Sequence, residues 1–402
     1  MGQKLTEFLS AYINKKSLFK NKKALQSNYT PKNVPYRTEQ INQIASILAP
    51  SLRREKPSNI FIYGKTGTGK TLITKHVTEN LQKIADENTI PLRVFYLNCK
   101  LKRIADTEYR MMAQLIREFG EEVPATGLPT DEVYKIFINI LEKKKIILVI
   151  ILDEIDQLVK KIGDEILYNL TRLNSELKES ELTFIGISND LMFIDNVDPR
   201  VRSSLNEEEL IFPPYNAVQL QKILQQRSKE AFYDHVVIDG VVEKCAAYAA
   251  REHGDARRAL ELLRVAAELA ERKGETTITE QYIDLAEENI ERDRVIDIIS
   301  TQPKQFKITL YSILSVCEGN QHKIFTGDVY NIYQNISLSC GLKPLTQRRL
   351  SDIIAEFDML GIINARLISK GRYGRTKEIS LAIPHKVSHK INTLLKESLG
   401  LS

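Results

Sequence analysis

Cysteine is scarce and scattered. Cys99, Cys245, Cys317 and Cys340 are the only four in 402 residues, and no two form a Cys-x-x-Cys pair. Such usage excludes a disulfide-stapled scaffold and a zinc ribbon, and reads as reduced core or surface thiols. The six histidines show no metal-ligand spacing either. Long hydrophobic runs are also missing. The longest strongly apolar stretch, Ile146 to Leu152, is far too short to span a bilayer. Lys4 and Glu7 interrupt the place where a secretory signal needs an apolar segment. No low-complexity tract or internal repeat is apparent, and the length suits two or three domains with proper cores.

Charge is present in ordinary amount but unevenly placed. From Ser300 onward, 14 Lys and Arg stand against 7 Asp and Glu; that third carries +7 of a chain total of +5, and the preceding residues sum to −2. A basic third on a slightly acidic body suggests a polyanion-binding module, although lysine-rich surfaces also serve solubility alone.

The chain is organised around residues 59–71. An apolar run, Ile60 to Tyr63, reads as a buried strand. It breaks into Gly64-Lys65-Thr66-Gly67-Thr68-Gly69-Lys70-Thr71, and a helical pattern follows to about Ala85. This is P-loop spacing in strand–loop–helix context. Glycines let the backbone curl so that its N–H groups face phosphate oxygens, and the new helix places its positive end beneath them. Lys70 supplies a point charge for the β- and γ-phosphates, and Thr71 a hydroxyl for Mg²⁺. The expected cofactors are therefore ATP or ADP with Mg²⁺.

Further strands are expected at 92–97, 146–152, 182–188 and 210–212, in a parallel α/β sheet. The aliphatic run from Ile146 reads as a central strand buried on both faces. It ends in Asp153-Glu154, at the strand end where α/β sheets bind ligands. Asp153 suits Mg²⁺, and Glu154 suits activation of an attacking water. Asn189, after the next strand, is expected at the same sheet edge; Asn189-Asp190 is also ordinary turn chemistry. Arg200 and Arg202 compete for one role, a finger reaching a neighbouring subunit's nucleotide, with a surface contact as the alternative. Upstream, Tyr29-Thr30-Pro31-Lys32-Asn33-Val34-Pro35-Tyr36-Arg37 holds two prolines that forbid a continuous helix. Such a segment suits wrapping a base or forming a plain surface turn. A helix is expected from Thr38 to about Leu48, and one after 120–129 with Thr130 as its cap.

Pro213-Pro214 marks a domain boundary. Helices follow at 217–232, 239–252, 256–273 and 279–298. Arg257, in the first turn of the third, can reach from a helical lid toward a phosphate, or lie on the surface. Near Gln302-Pro303 a last domain begins, with helices at 304–317, 326–338 and 346–360. Thr346 is the expected N-cap and Gly361 the stop. Leu350, Ile353, Ile354, Phe357 and Leu360 share one apolar face, leaving Gln347, Arg348 and Ser351 outside. Strands at 362–368 and 378–383 flank Gly371-Arg372-Tyr373-Gly374-Arg375. Three helices and a basic β-wing predict a winged helix, whose third helix enters the major groove and whose wing arginines enter the minor groove; use of the wing for protein contacts is the alternative.

Residues 29–383 resemble the archaeal replication-initiator family of AAA+ proteins, relatives of the origin recognition complex and its helicase-loading partner. The resemblance implies an AAA+ base at 1–215, a helical lid at 216–299 and a winged-helix domain at 300–402. It makes Tyr29 to Arg37 resemble an adenine-contacting box, with Val34, Pro35, Tyr36 and Arg37 as nucleotide contacts, and assigns Tyr215 to the nucleotide site. Asp153 and Glu154 match its Walker B pair, Asn189 its sensor one, Arg200 its trans finger and Arg257 its sensor two. It implies DNA contacts from Lys100, Lys102, Arg103 and Arg110 in an initiator-specific insertion, and from Gln347, Arg348, Arg372, Tyr373 and Arg375. The implied function is an ATP-dependent initiator in the cytoplasm, associated with the nucleoid and not with a membrane. It binds double-stranded origin DNA, hydrolyses ATP slowly as a switch, and helps load the replicative helicase, with paralogous initiator subunits as further partners. A remodelling or clamp-loader-type ATPase and an ATP-sensing transcription regulator are the competing readings. The basic wing argues against the first, and the set Asp153, Glu154 and Asn189 against the second.

Overall fold

Five parallel strands position everything that follows. The computed structural model describes residues 16–401 apart from 27–28, 32–33, 101–106, 125–126, 206, 320–323, 370–374 and 384. The chain divides into two units, Met1–Glu280 and Gln281–Ser402.

The first unit begins with a segment that contains one turn of 3₁₀ helix, Lys22–Leu25, followed by α1 (Thr38–Leu48), β1 (Asn59–Tyr63), α2 (Lys70–Glu87) and β2 (Leu92–Asn98). Next come α3 (Glu108–Glu118), α4 (Thr130–Lys144), β3 (Ile147–Asp153), α5 (Ile155–Ile162), α6 (Glu165–Glu176), β4 (Glu181–Ser188), α7 (Pro199–Leu205) and β5 (Glu207–Ile211). The sheet order is β2-β3-β4-β1-β5, and every pairing is parallel. Alternate residues of β3 face opposite layers. Leu148, Ile150 and Leu152 join a core with Phe61, Phe137 and Leu170, while Ile147, Val149 and Ile151 join Ile60, Ile62 and Ile73. A strand buried on both faces has to be aliphatic throughout, which is why it reads as one continuous run. Because β4 lies between β3 and β1, the carboxyl ends of the three bring Asp153, Asn189 and Gly64 to one edge.

Helix α4 starts at Thr130, with Pro129 in the cap position and no side-chain cap bond. The expected Thr130 cap is therefore displaced by one residue. Helices α5 and α6, which had no sequence expectation, connect β3 to β4.

A helical group completes this unit: α8 (Ala217–Ala231), α9 (Val241–Arg251) and α10 (Ala256–Lys273). The N-terminal segment docks on it. The backbone N–H groups of Lys20 and Asn21 both donate to the Ala231 carbonyl, at 2.8 and 3.0 Å. Phe19 stacks on Phe232 with centroids 5.1 Å apart, and Lys22 pairs with Glu268 at 3.0 Å.

The second unit contains most of α11 (Glu280–Thr301), then α12 (Lys304–Gly319), β6 (Ile324–Phe325), α13 (Thr326–Ser339), α14 (Gln347–Met359), β7 (Ile363–Ser369), β8 (Arg375–Leu381) and α15 (His385–Leu399). The strands form an antiparallel sheet in the order β6-β8-β7. Thr346 caps α14 by accepting from the Arg349 N–H, and Gly361 stands at φ +70° just beyond it. Strand β8 begins three residues earlier than expected. Ser369 pairs with Arg375 and Leu367 with Lys377, because cross-strand hydrogen bonds continue to the base of the wing whatever the hydropathy. Strand β6 and helix α15 are additions to the expected elements.

Candidate nucleotide site

Two of the P-loop glycines adopt left-handed backbone, Gly67 at φ +70° and Gly69 at φ +93°, which side-chain-bearing residues avoid. Space forbids a side chain at Gly67 as well, since a Cβ there would lie 1.7 Å from Asp255 Oδ1. That contact ties the loop to the start of α10. The Ala256 N–H donates to the Gly67 carbonyl at 3.2 Å, and Asp255 caps α10 by accepting from the Arg257 and Arg258 N–H groups.

Lys70, 5% exposed, folds back over the loop. Its ammonium donates to the Gly64 carbonyl (2.7 Å), the Lys65 carbonyl (2.8 Å) and Asn189 Oδ1 (2.8 Å). Burial pulls its pKa down to about 8, against the opposing pull of Asp153 and with a further push from Arg257. Thr71 Oγ1 donates to Asp153 Oδ2 at 2.9 Å, and Tyr96 Oη donates to the same oxygen at 2.7 Å. Burial, followed by the bond to Asp153, drives the Tyr96 hydroxyl well above the usual phenol range, so it stays a donor. Glu154 sits in the left-handed region at φ +57°. For a non-glycine residue that conformation costs about 1–2 kcal/mol, and such strain concentrates at functional sites. Its carboxylate lies 3.7 Å from the Lys100 ammonium.

These groups surround one cavity of about 370 Å³. Of the expected nucleotide residues, Val34, Pro35, Thr66, Gly67, Gly69, Lys70, Thr71, Tyr215 and Arg257 line it, together with Asp153, Glu154 and Asn189. Tyr29, Thr30 and Pro31 of the Tyr29–Arg37 box also line it, as do residues without a sequence expectation there: Gln26 from the N-terminal segment, Tyr96 from β2, and Ile223, Gln226 and Arg227 from α8. Nothing local to the box signals that the Tyr29 hydroxyl donates to Glu230 (2.9 Å) or that Arg227 donates to the Tyr29 carbonyl (3.2 Å).

The remaining expected residues lie elsewhere. Arg37 is buried beneath the loop rather than in the cavity wall. Its guanidinium donates to the Thr68 carbonyl at 3.1 Å and to the Pro213 carbonyl, and it covers the Tyr215 ring at 4.0 Å. Gly64 and Thr68, also in the loop, are not part of the cavity lining, and Thr68 is fully buried. Lys65 faces His253 at 3.5 Å, and Tyr36 lies 5.8 Å beneath the Lys222 ammonium. Arg200 and Arg202 are both outside the cavity wall. The Arg200 side chain is 90% exposed, with Asp198 3.9 Å away, whereas Arg202 is paired with Asp195 at 3.1 Å. Arg258 is held by Glu252 at 3.0 Å, leaving Arg257 as the arginine of that turn in the cavity.

Of the expected DNA contacts, Arg110 is exposed in the first turn of α3, and Gln347 and Arg348 are exposed in the first turn of α14. Lys102, Arg103, Arg372 and Tyr373 lie outside the described residues. Arg375 is placed by its backbone, opposite Ser369.

The donor set fits a magnesium nucleotide. A hydroxyl and a carboxylate 2.9 Å apart are the hard oxygen ligands Mg²⁺ takes, and a buried ammonium beside a glycine-lined helix N-terminus suits phosphate.

Three family models match in chain order: an AAA domain over residues 53–191, a Cdc6 AAA+ ATPase-type lid domain over 221–288, and a CDC6 C-terminal winged helix domain over 297–390. The ORC1-type DNA replication protein of Thermococcus onnurineus is 52% identical, over 98% of this chain and 97% of its own. That of Pyrococcus furiosus is 52% identical over 98% and 93%. The Aeropyrum pernix ORC1 protein, solved in complex with DNA, superposes with a TM-score of 0.80 at 42% identity, covering 94% of this chain and 97% of its own. The chain therefore belongs to the family of ORC1-type DNA replication proteins, with an AAA+ base, a Cdc6-type lid and a C-terminal winged helix.

Proposed function

We propose that the chain is a nucleotide-switched replication initiator, which binds ATP or ADP with Mg²⁺ in this cavity and origin DNA through its winged helix and the α3 region. The observation that carries the reading is the convergence of Lys70, Thr71, Asp153, Glu154, Asn189 and Arg257 on one cavity. The N-terminal segment and α8 supply its remaining walls.

In this reading Lys70, Asn189 and Arg257 hold the phosphates. Thr71 and Asp153 hold the metal, which supplies charge neutralisation to the phosphates when bound. Glu154 orients the attacking water and takes its proton. Arg200 is the better candidate for a finger on a neighbouring initiator, because it is more exposed and its acidic neighbour is 3.9 Å away, whereas Arg202 holds Asp195 at 3.1 Å. Walls drawn from the base, the N-terminal segment and the helical group let nucleotide bias their relative arrangement. Recruitment of the replicative helicase and pairing with paralogous initiators belong to the same proposal. Domain limits of 1–215, 216–299 and 300–402 accompany it; the docking of residues 18–25 on α8 and α10 favours counting that segment with the lid.

The test is equilibrium binding of fluorescent ADP and ATP, followed by binding of origin duplex against a scrambled duplex, at two salt concentrations. Lys70→Ala should lose most nucleotide affinity, and the origin duplex should bind more tightly than the scrambled one. Full nucleotide affinity in Lys70→Ala would sink the site assignment. Equal affinity for both duplexes would sink the origin reading.

A further inference from the structure

Both donors to Asp153 reach the same oxygen. Thr71 Oγ1 and Tyr96 Oη each donate to Oδ2, and among the described residues no donor reaches Oδ1. Two donors from different elements thus occupy one oxygen of a carboxylate that lines the cavity, and leave the second oxygen with its acceptor capacity unused among the described residues. The Lys75 ammonium lies 3.6 Å from the Tyr96 ring centroid, a cation–π contact. Lys75 lies one turn beyond Thr71 on α2, so one helix supplies the first donor and supports the second. Phenylalanine would fill the same space on β2, so packing alone does not call for the hydroxyl.

We propose that Tyr96 is a positioning residue for the divalent metal: it orients the Asp153 carboxylate so that Oδ1 meets a metal ion that enters with nucleotide, and Lys75 holds its ring in place. This rests on the nucleotide reading above. Groups that orient a metal ligand without touching the metal commonly change metal affinity by tenfold or more.

The experiment uses the full chain with Mn²⁺ as the spectroscopic probe. Free Mn²⁺ is measured by electron paramagnetic resonance at saturating ADP, for wild type, Tyr96→Phe and Lys75→Met. ADP affinity and thermal unfolding are measured separately in EDTA. Tyr96→Phe should raise the Mn²⁺ dissociation constant about tenfold, a larger factor than any change in metal-free ADP affinity. Lys75→Met should raise it in the same direction by a smaller factor. A Mn²⁺ dissociation constant within about twofold of wild type in Tyr96→Phe would overturn the proposal, since a merely structural bond predicts a lower melting temperature and no change in metal affinity. If Tyr96→Phe does not fold, Lys75→Met carries the test, and unchanged Mn²⁺ affinity there overturns it. A wild-type protein that binds no ADP in either condition would overturn the nucleotide reading and this one with it.

Discussion

Raising pH should loosen nucleotide binding through Lys70. Its ammonium is buried, and burial brings its pKa from 10.5 to about 8 in the nucleotide-free protein. A bound phosphate restores an anionic partner and keeps the lysine charged. The free form is then about half charged at pH 8 and about one-tenth charged at pH 9, while the bound form is charged at both. Relative to pH 7, the ADP dissociation constant should rise about twofold at pH 8 and about tenfold at pH 9, about 1.4 kcal/mol in all, with the slope approaching about 1.4 kcal/mol per pH unit only above pH 9. The phosphate groups add little slope of their own above pH 7, because their second ionisation has a pKa near 6 and is about nine-tenths complete by pH 7. Unfolding driven by this lysine does not mimic the effect. A lysine with a depressed folded pKa burdens the fold most below about pH 8, and that burden is relieved as pH rises toward 10.5. The assay is isothermal titration with ADP from pH 6.5 to 9.5 in buffers of different ionisation enthalpy, which also counts protons taken up on binding. A wild-type affinity that is flat to pH 9.5, with no proton uptake, would refute the reasoning.

Other expectations are simpler to read. Glu154→Gln should still bind ATP but hydrolyse it at least about a hundredfold more slowly; hydrolysis at the parent rate would show that another group handles the water. Arg37→Ala should cost about 2–4 kcal/mol in chemical denaturation, since it removes two hydrogen bonds from a buried guanidinium and its cover over Tyr215. Its ADP affinity should drop less than that of Lys70→Ala. Arg372→Ala with Arg375→Ala should weaken binding to a DNA duplex and flatten its salt dependence by up to about two phosphate contacts; undiminished binding would return the wing to protein contacts.

Much of this arrangement was legible in the sequence because it is local. The P-loop, the aliphatic strand ending in Asp153-Glu154, and the apolar face of α14 each lie in a short window whose spacing has a direct physical reason. What escaped is long-range or masked by ordinary composition. Tyr96 looks like any half-buried strand tyrosine until β2 is laid beside β3 and its hydroxyl meets Asp153. Arg37 reads as part of a base-contacting box, yet its donors are spent on the carbonyls of Thr68 and Pro213. The docking of Phe19 on Phe232 joins residues too far apart for any periodicity to connect. Strand β6 is two residues long and exists only because β8 is there to pair with it.

The most direct test of an initiator that sits on origin DNA is crosslinking of the protein to the genome in its own cells, sequenced at high resolution. The expected result is sharp occupancy at one or a few intergenic sites where replication begins, lost in the Arg372→Ala, Arg375→Ala protein. Occupancy spread over many promoters, or none above background, would contradict it.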